Sequence, residues 1–219
     1  MKQFFIILLG MIGVQTTSAQ GVSADNLSID AAFNACIAMR DAVAANNSAA
    51  IKQSAKDLKS AGTANFSSLR CKDDSIASLN GHLVFDEAFA DSLAEGKDIY
   101  DKADDITRTT VAHRGQTADG SILTKTCFVK AGKSTKWSFA SKGHQELAVV
   151  AEAGGLVTMK IHVTNTAGLD KRFDDTKNVK KGQPQRKTTF ELPTDRRNTV
   201  ELEVINCGKK DCSFVVISN

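Results

Sequence analysis

Tryptophan and tyrosine each occur once in the 219 residues, at Trp137 and Tyr100. Sugar rings are held by stacking on exposed aromatic faces, so a chain this poor in both residues has little from which to build a glycan platform. Trp137 alternates with Phe139, which places it in a core, and Tyr100 stands alone between acids. No CxxC is present, which excludes the usual zinc spacing. Neither HExxH nor GxSxG occurs, so neither a zincin nor the nucleophile elbow of an α/β-hydrolase is encoded. The four histidines, His82, His113, His144 and His162, are scattered without paired spacing. Proline is confined to Pro184 and Pro193. Beyond the first residues no apolar run approaches the roughly twenty residues of a spanning helix. No transmembrane segment is therefore expected in the mature chain.

What is present begins at the amino terminus. Lys2 precedes the uncharged apolar run Phe4 to Val14, and Thr17-Ser18-Ala19 supplies small residues where a signal peptidase cuts. Residues 1–19 are expected to be a signal peptide, cleaved after Ala19 or Gln20, with the mature protein periplasmic or extracellular. The net charge of +3 conceals two unlike halves. Residues 20–109 carry nine Lys/Arg and fourteen Asp/Glu, and residues 110–219 carry eighteen and eleven. The basic residues are interleaved with acids, which with export argues against nucleic acid. Cysteines at 36, 71, 127, 207 and 212 in an oxidising compartment lead to an expectation of disulfides. Cys207 and Cys212 bracket the turn-like Gly208-Lys209-Lys210-Asp211, and a hairpin there would face the two sulfurs. Cys36 and Cys71 are a second expected pair. Cys127, in a strand-like run, is left as a buried thiol.

The period of the apolar pattern changes along the chain. From Ser28 to Ala45 the residues Ile29, Phe33, Cys36, Ile37 and Val43 recur at helical steps, with Ser28 or Asp30 as cap. Asn46-Asn47 breaks the pattern, and a second helix capped by Ser48 carries Ile51, Ala55 and Leu58 up to Gly62. The two form an αα-hairpin. Phe85 to Ile106 returns to helical spacing, interrupted near Gly96. After about residue 110 the period is two, predicting strands over 122–130, 135–141, 146–151, 157–164, 186–192, 199–207 and 212–218. The fold class expected is α+β: an α-helical region over 20–109, then an antiparallel β-sandwich of about seven strands over 110–219. Asn165 to Gln185 is expected to be a long charged loop.

The order of features in the second half resembles the bacterial pre-peptidase C-terminal type of β-sandwich. Strand residues Trp137 and Phe139 come first, then GHQELAVVAEAGGLVTMKIHVTN, a long polar loop, and the closing TTFELP and NTVELEVINCGKKDCSFVVIS. The resemblance covers about half the mature chain and implies a non-catalytic appendage, although no peptidase motif occurs in these 219 residues. The ending SAQ of the leader resembles exported proteins of Bacteroidetes. Asp74-Ser75-Ile76 and Asp91-Ser92-Leu93 are similar to the O-glycosylation sequon of that phylum. The helical half resembles no characterised family.

Three functions follow as expectations. The first is an exported non-catalytic protein acting through protein or cell-envelope contacts, with no cofactor. The second is a binding module for a glycan or for calcium. Asp170, Asp174 and Asp175 are the oxygen donors a calcium ion would need, although seven cations lie in or beside the same loop. The third is a hydrolase in which Cys127 or a loop aspartate meets a histidine across the helical–sheet junction. No catalytic residue is assigned from the sequence.

Overall fold

The structure is a computed structural model that describes residues 28–66, 81–96, 122–174 and 181–219. Helices α1 (Asp30–Ala44), α2 (Ser48–Ser60) and α3 (Glu87–Ala94) flank a short strand β1 (Thr63–Asn65). Eight antiparallel strands follow: β2 (Ile122–Val129), β3 (Ser134–Ser141), β4 (Gly143–Ala151), β5 (Val157–Thr164), β6 (Asp170–Asp174), β7 (Gln185–Leu192), β8 (Asn198–Asn206) and β9 (Cys212–Ser218). They form two sheets, ordered β1-β2-β9-β4-β7 and β3-β8-β5-β6, so the fold is α+β with a β-sandwich. β1 joins the larger sheet by pairing parallel to β2, Thr63 opposite Ile122.

The apolar pattern explains the layering. In β5 and β8 apolar residues alternate with polar ones, and the apolar face is the buried one, Thr158 being the one residue of the other face that is buried too. Met159, Ile161, Val163, Val200, Leu202 and Val204 turn inward and meet Leu147, Val149, Phe214 and Val216 of the facing sheet. β4 and β9 behave differently, because β9 and nearly all of β4 are buried on both faces. Their other set, Ala148, Val150, Val215 and Ile217, packs against Ile29, Met39, Leu58, Val84 and Phe89 of the helical segment. The molecule therefore has three layers, with the five-stranded sheet in the middle. Each large aliphatic or aromatic side chain buried this way contributes about 1.5–3 kcal/mol.

Local signals set the helix ends. Asn47, rather than Ser48, caps α2, its Oδ1 accepting Ala50 N at 3.1 Å. Asp86 caps α3 by accepting Ala88 N and Phe89 N. Gly96 follows α3 at φ +71°, the left-handed conformation that closes a helix cheaply only at glycine. Ile29, the N-cap residue of α1, makes no side-chain capping bond of its own. Ser28 Oγ takes the Asp30 amide at 3.2 Å.

The sandwich corrects the hairpin expected at the end of the sequence. β8 and β9 lie in opposite sheets, so residues 207–211 carry the chain from one layer to the other. Asn206 organises the crossing: its Nδ2 donates to Val129 O and Lys210 O, and its Oδ1 accepts Gly208 N at 2.8 Å. Cys207 N donates to Leu156 O at 2.7 Å, while Cys212 is buried in the sandwich core. Cys212 carries a free thiol, so the expected Cys207–Cys212 bridge is not formed. Cys36 is also a free buried thiol, and its expected partner Cys71 lies outside the described residues. The charged stretch expected as a loop contains strand β6, paired to β5 with Asp170 opposite Thr164 and Asp174 opposite Lys160.

Candidate functional site

Among the described residues a histidine meets carboxylates in three places, each assembled from separate stretches of chain. The most enclosed lies where the helical segment meets the sheet. Glu152, just after β4, sits 2.6 Å from His82 Nδ1 and accepts Leu83 N at 3.0 Å and Ser213 N at 2.9 Å. Ser213 Oγ donates to Leu83 O at 2.7 Å and approaches Glu152 Oε2 at 3.1 Å. Histidine, glutamate and serine are thus within reach of one another, but in the wrong order for acyl transfer. A nucleophilic serine needs the imidazole between itself and the carboxylate. Here the carboxylate is in the middle, Ser213 is fully buried, and its hydroxyl is spent on a backbone carbonyl. The cluster staples residues 82–83 to β9.

A second cluster sits at the start of α1. Glu146 accepts Ile29 N at 2.9 Å and lies 3.2 Å from Lys187 Nζ, which also reaches Asp30 at 2.7 Å. His144 Nδ1 is 2.5 Å from Glu191, and that hydrogen bond raises its pKa against the opposing effect of burial. The hydrogen bond from Lys187 lowers the carboxyl of Asp30. The third cluster lies on the outer face of the smaller sheet. His162 reaches Asp170 through Nε2 at 2.9 Å and Glu201 through Nδ1 at 3.1 Å, and the two carboxylates raise its pKa. Its two ring nitrogens face different carboxylates, so the three groups do not converge on one point.

The residues singled out in the sequence fall as follows. Asp170 pairs with His162 at the start of β6, and Asp174 ends the same strand. Extended geometry places their Cα atoms roughly 13 Å apart, a poor spacing for ligating one ion. Asp175 lies outside the described residues, as do Tyr100, His113 and the Asp74–Ile76 tripeptide. Asp91–Leu93 lies within α3. Trp137 is 3% exposed and stands edge-on to Phe214 inside the sandwich, so it offers no stacking platform. Cys127 is buried with its Sγ toward Lys125 O. Cys212 is pushed up to about 12, by burial first and by the Glu152 charge second. Burial alone raises Cys36 to about 12. Neither thiol is a nucleophile at neutral pH. Among the described residues no group of three or more His, Cys, Asp or Glu is placed to hold a metal ion. No described helix is long and apolar enough to cross a membrane.

No family model matches the chain, and comparison with curated proteins finds no match. Among solved structures, the Yersinia pseudotuberculosis-derived mitogen is similar over 45% of this chain and 85% of its own, at 13% identity and a TM-score of 0.33. The module TmCBM61, solved in complex with β-1,4-galactotriose, overlaps 45% of this chain and 81% of its own at 9% identity and a TM-score of 0.28. Aeromonas hydrophila PliG, a periplasmic inhibitor of g-type lysozyme, overlaps 48% and 91% at 14% identity and a TM-score of 0.27. The likenesses are too slight to bear on function.

Proposed function

We propose that the protein is exported and works without catalysis, through contacts with a protein or with a component of the cell envelope. One observation carries the reading: among the described residues, the histidines and carboxylates that come together do so in contacts that fasten one segment or strand to another. Glu152, His82 and Ser213 fasten residues 82–83 to β9, Glu146 and Lys187 fasten α1 to the sheet, and His162 ties β5 to its neighbours. The leader Lys2 to Ala19 and the resemblance of the second half to enzyme appendages support the same reading. The glycan alternative loses its platform with the burial of Trp137. The calcium alternative is weakened by the pairing of Asp170 with His162.

The test begins with the full chain, tagged at its carboxy end and produced in a Gram-negative host. Fractionation and mass spectrometry of the amino terminus should find cleavage after Ala19 or Gln20, outside the cytoplasm. An intact amino terminus in the cytoplasm would sink the proposal. The recovered protein is then melted with calcium, with EDTA and with a panel of polysaccharides. A ligand at a hundredfold excess over its Kd stabilises the folded state by about 2.7 kcal/mol. A shift of that order with calcium or a sugar replaces the proposal with a ligand-binding one, and a flat panel leaves it in front.

A further inference from the structure

We infer that one end of the sandwich, built from the turns 130–133, 152–156 and 207–211 with Lys181 beside them, is a docking surface for an anionic lipid membrane. The inference rests on the envelope-contact reading above and names its partner. These turns are fastened to one another. Gly132 N donates to Asn206 O at 3.1 Å, Asn206 N to Lys133 O at 2.9 Å, and Ala131 N to Asp211 Oδ1 at 2.9 Å. Cys207 N reaches Leu156 O at 2.7 Å. Next to Lys181, a methyl group built on Gly182 would meet Cys207 Cβ at 2.9 Å and Leu156 at 3.1 Å.

From this end project Lys130, Lys133, Lys181, Lys209 and Lys210, all exposed. None of the five makes an ion pair with a described residue, whereas Lys136 and Lys160 are paired to Glu203. The carboxylates of these turns are already engaged, Glu152 by His82, Leu83 N and Ser213, and Asp211 by the Ala131 amide. In the same loops lies Leu156, 37% exposed, more open to solvent than any other large apolar side chain among the described residues.

The combination of charge and apolar tip selects the partner. A soluble polyanion would engage the lysines and leave Leu156 in water. No aromatic side chain is exposed among the described residues to stack on a sugar. These turns carry lysine and no arginine, point charges rather than the planar fork that grips one fixed carboxylate or phosphate. An anionic bilayer answers both features. Its surface potential attracts each nearby lysine by about fivefold in affinity and fades within a Debye length. Behind the headgroups lies an apolar layer that can take up a leucine side chain.

The experiment is vesicle co-sedimentation of the full chain, using phosphatidylcholine alone and phosphatidylcholine with added phosphatidylglycerol, at low and high salt. Parent and variants are all used as recovered after export, with the amino terminus that mass spectrometry finds, so that end of the chain is common to them. Binding should require phosphatidylglycerol and weaken with salt. Lys209→Gln with Lys210→Gln should lower it about 25-fold, and Leu156→Ser about fivefold. Unchanged melting temperatures would show that these exposed substitutions leave the fold intact. Binding indifferent to phosphatidylglycerol, or to the two lysines, would overturn the inference. So would tight binding of dextran sulfate together with full vesicle binding by Leu156→Ser, which would mark a soluble-polyanion site. An exported chain that ignores vesicles loses the lipid as partner only, whereas a chain kept in the cytoplasm loses the broader proposal.

Discussion

Glu146 on β4 accepts the backbone amide of Ile29 at 2.9 Å, across 117 residues of chain. Helix α1 is therefore capped from the sheet, by a carboxylate that also suits the positive end of the helix dipole. Glu146 is 9% exposed and serves Lys187 with the same oxygen. Glu146→Ala leaves the Ile29 amide without its partner and Lys187 with Asp30 alone. Hydrogen bonds to charged groups are worth about 1.5–3 kcal/mol, and urea denaturation should show a loss of that order. Lys187→Met should cost less, and a double-mutant cycle should show the two changes to be non-additive.

His144 gives a pH dependence of known sign. Its hydrogen bond to Glu191 raises the pKa, so the folded state holds the proton more tightly than the unfolded chain does. The contribution is complete below the unfolded value of about 6.5 and is lost as pH rises through the higher folded value. Water screens the pair, which limits the effect to at most about 1 kcal/mol. Urea midpoints of the parent should fall relative to those of His144→Gln as pH rises through that window. Parallel curves would refute the assignment. His162 shifts in the same direction, so only the difference between parent and variant isolates His144.

Ile217 tests the third layer. It points away from the sandwich interior and is nevertheless fully buried beneath the helical segment. Ile217→Ala should cost about 2–5 kcal/mol, the range for core truncations. A bare outer sheet face would give within about 0.5 kcal/mol. Calorimetry of the single variant decides between them.

That layer was written in the sequence in a form different from the one read. Alternation in Val157–Thr164 and Asn198–Asn206 marks strands with one buried face, and those strands were legible to within a residue. The unbroken runs Leu147–Ala151 and Phe214–Ile217 carry a further message, that both faces are covered. β6 escaped because Asp170–Asp174 holds one apolar residue, Phe173, and its strand character comes from pairing with β5. The expected Cys207–Cys212 hairpin failed for a related reason. Gly208 to Asp211 has turn chemistry, and such a turn serves equally a strand that returns beside its neighbour and one that crosses to the opposite sheet. The meeting of His82, Glu152 and Ser213 was not legible at all, since three distant segments supply it and none carries a motif.

The thiols offer a chemical check on the crossing. With Cys36 and Cys212 each pushed up to about 12, neither should react with iodoacetamide at neutral pH in the native protein. Both should react after denaturation without a reductant, as read by peptide mass spectrometry. A 207–212 peptide that alkylates only after reduction would contradict the free Cys212 thiol. Gly155→Ala should destabilise strongly, because a methyl group there would lie 2.4 Å from Cys212 Sγ and 2.9 Å from Ala151 Cβ.

The positions of β8 and β9 bear on how the chain acquires its shape. β8 is the strand that joins β3 to β5, and β9 is the strand that joins β2 to β4. Each sheet is thus two disconnected pieces until residues 198–218 arrive. Pairings this distant in sequence are slow to form, because loop closure must precede the contacts that reward it. A polypeptide emerging in order from ribosome or translocon has its earlier strands waiting, edges open, for the two that close them. Neither sheet can be completed before residues 198–218 are available.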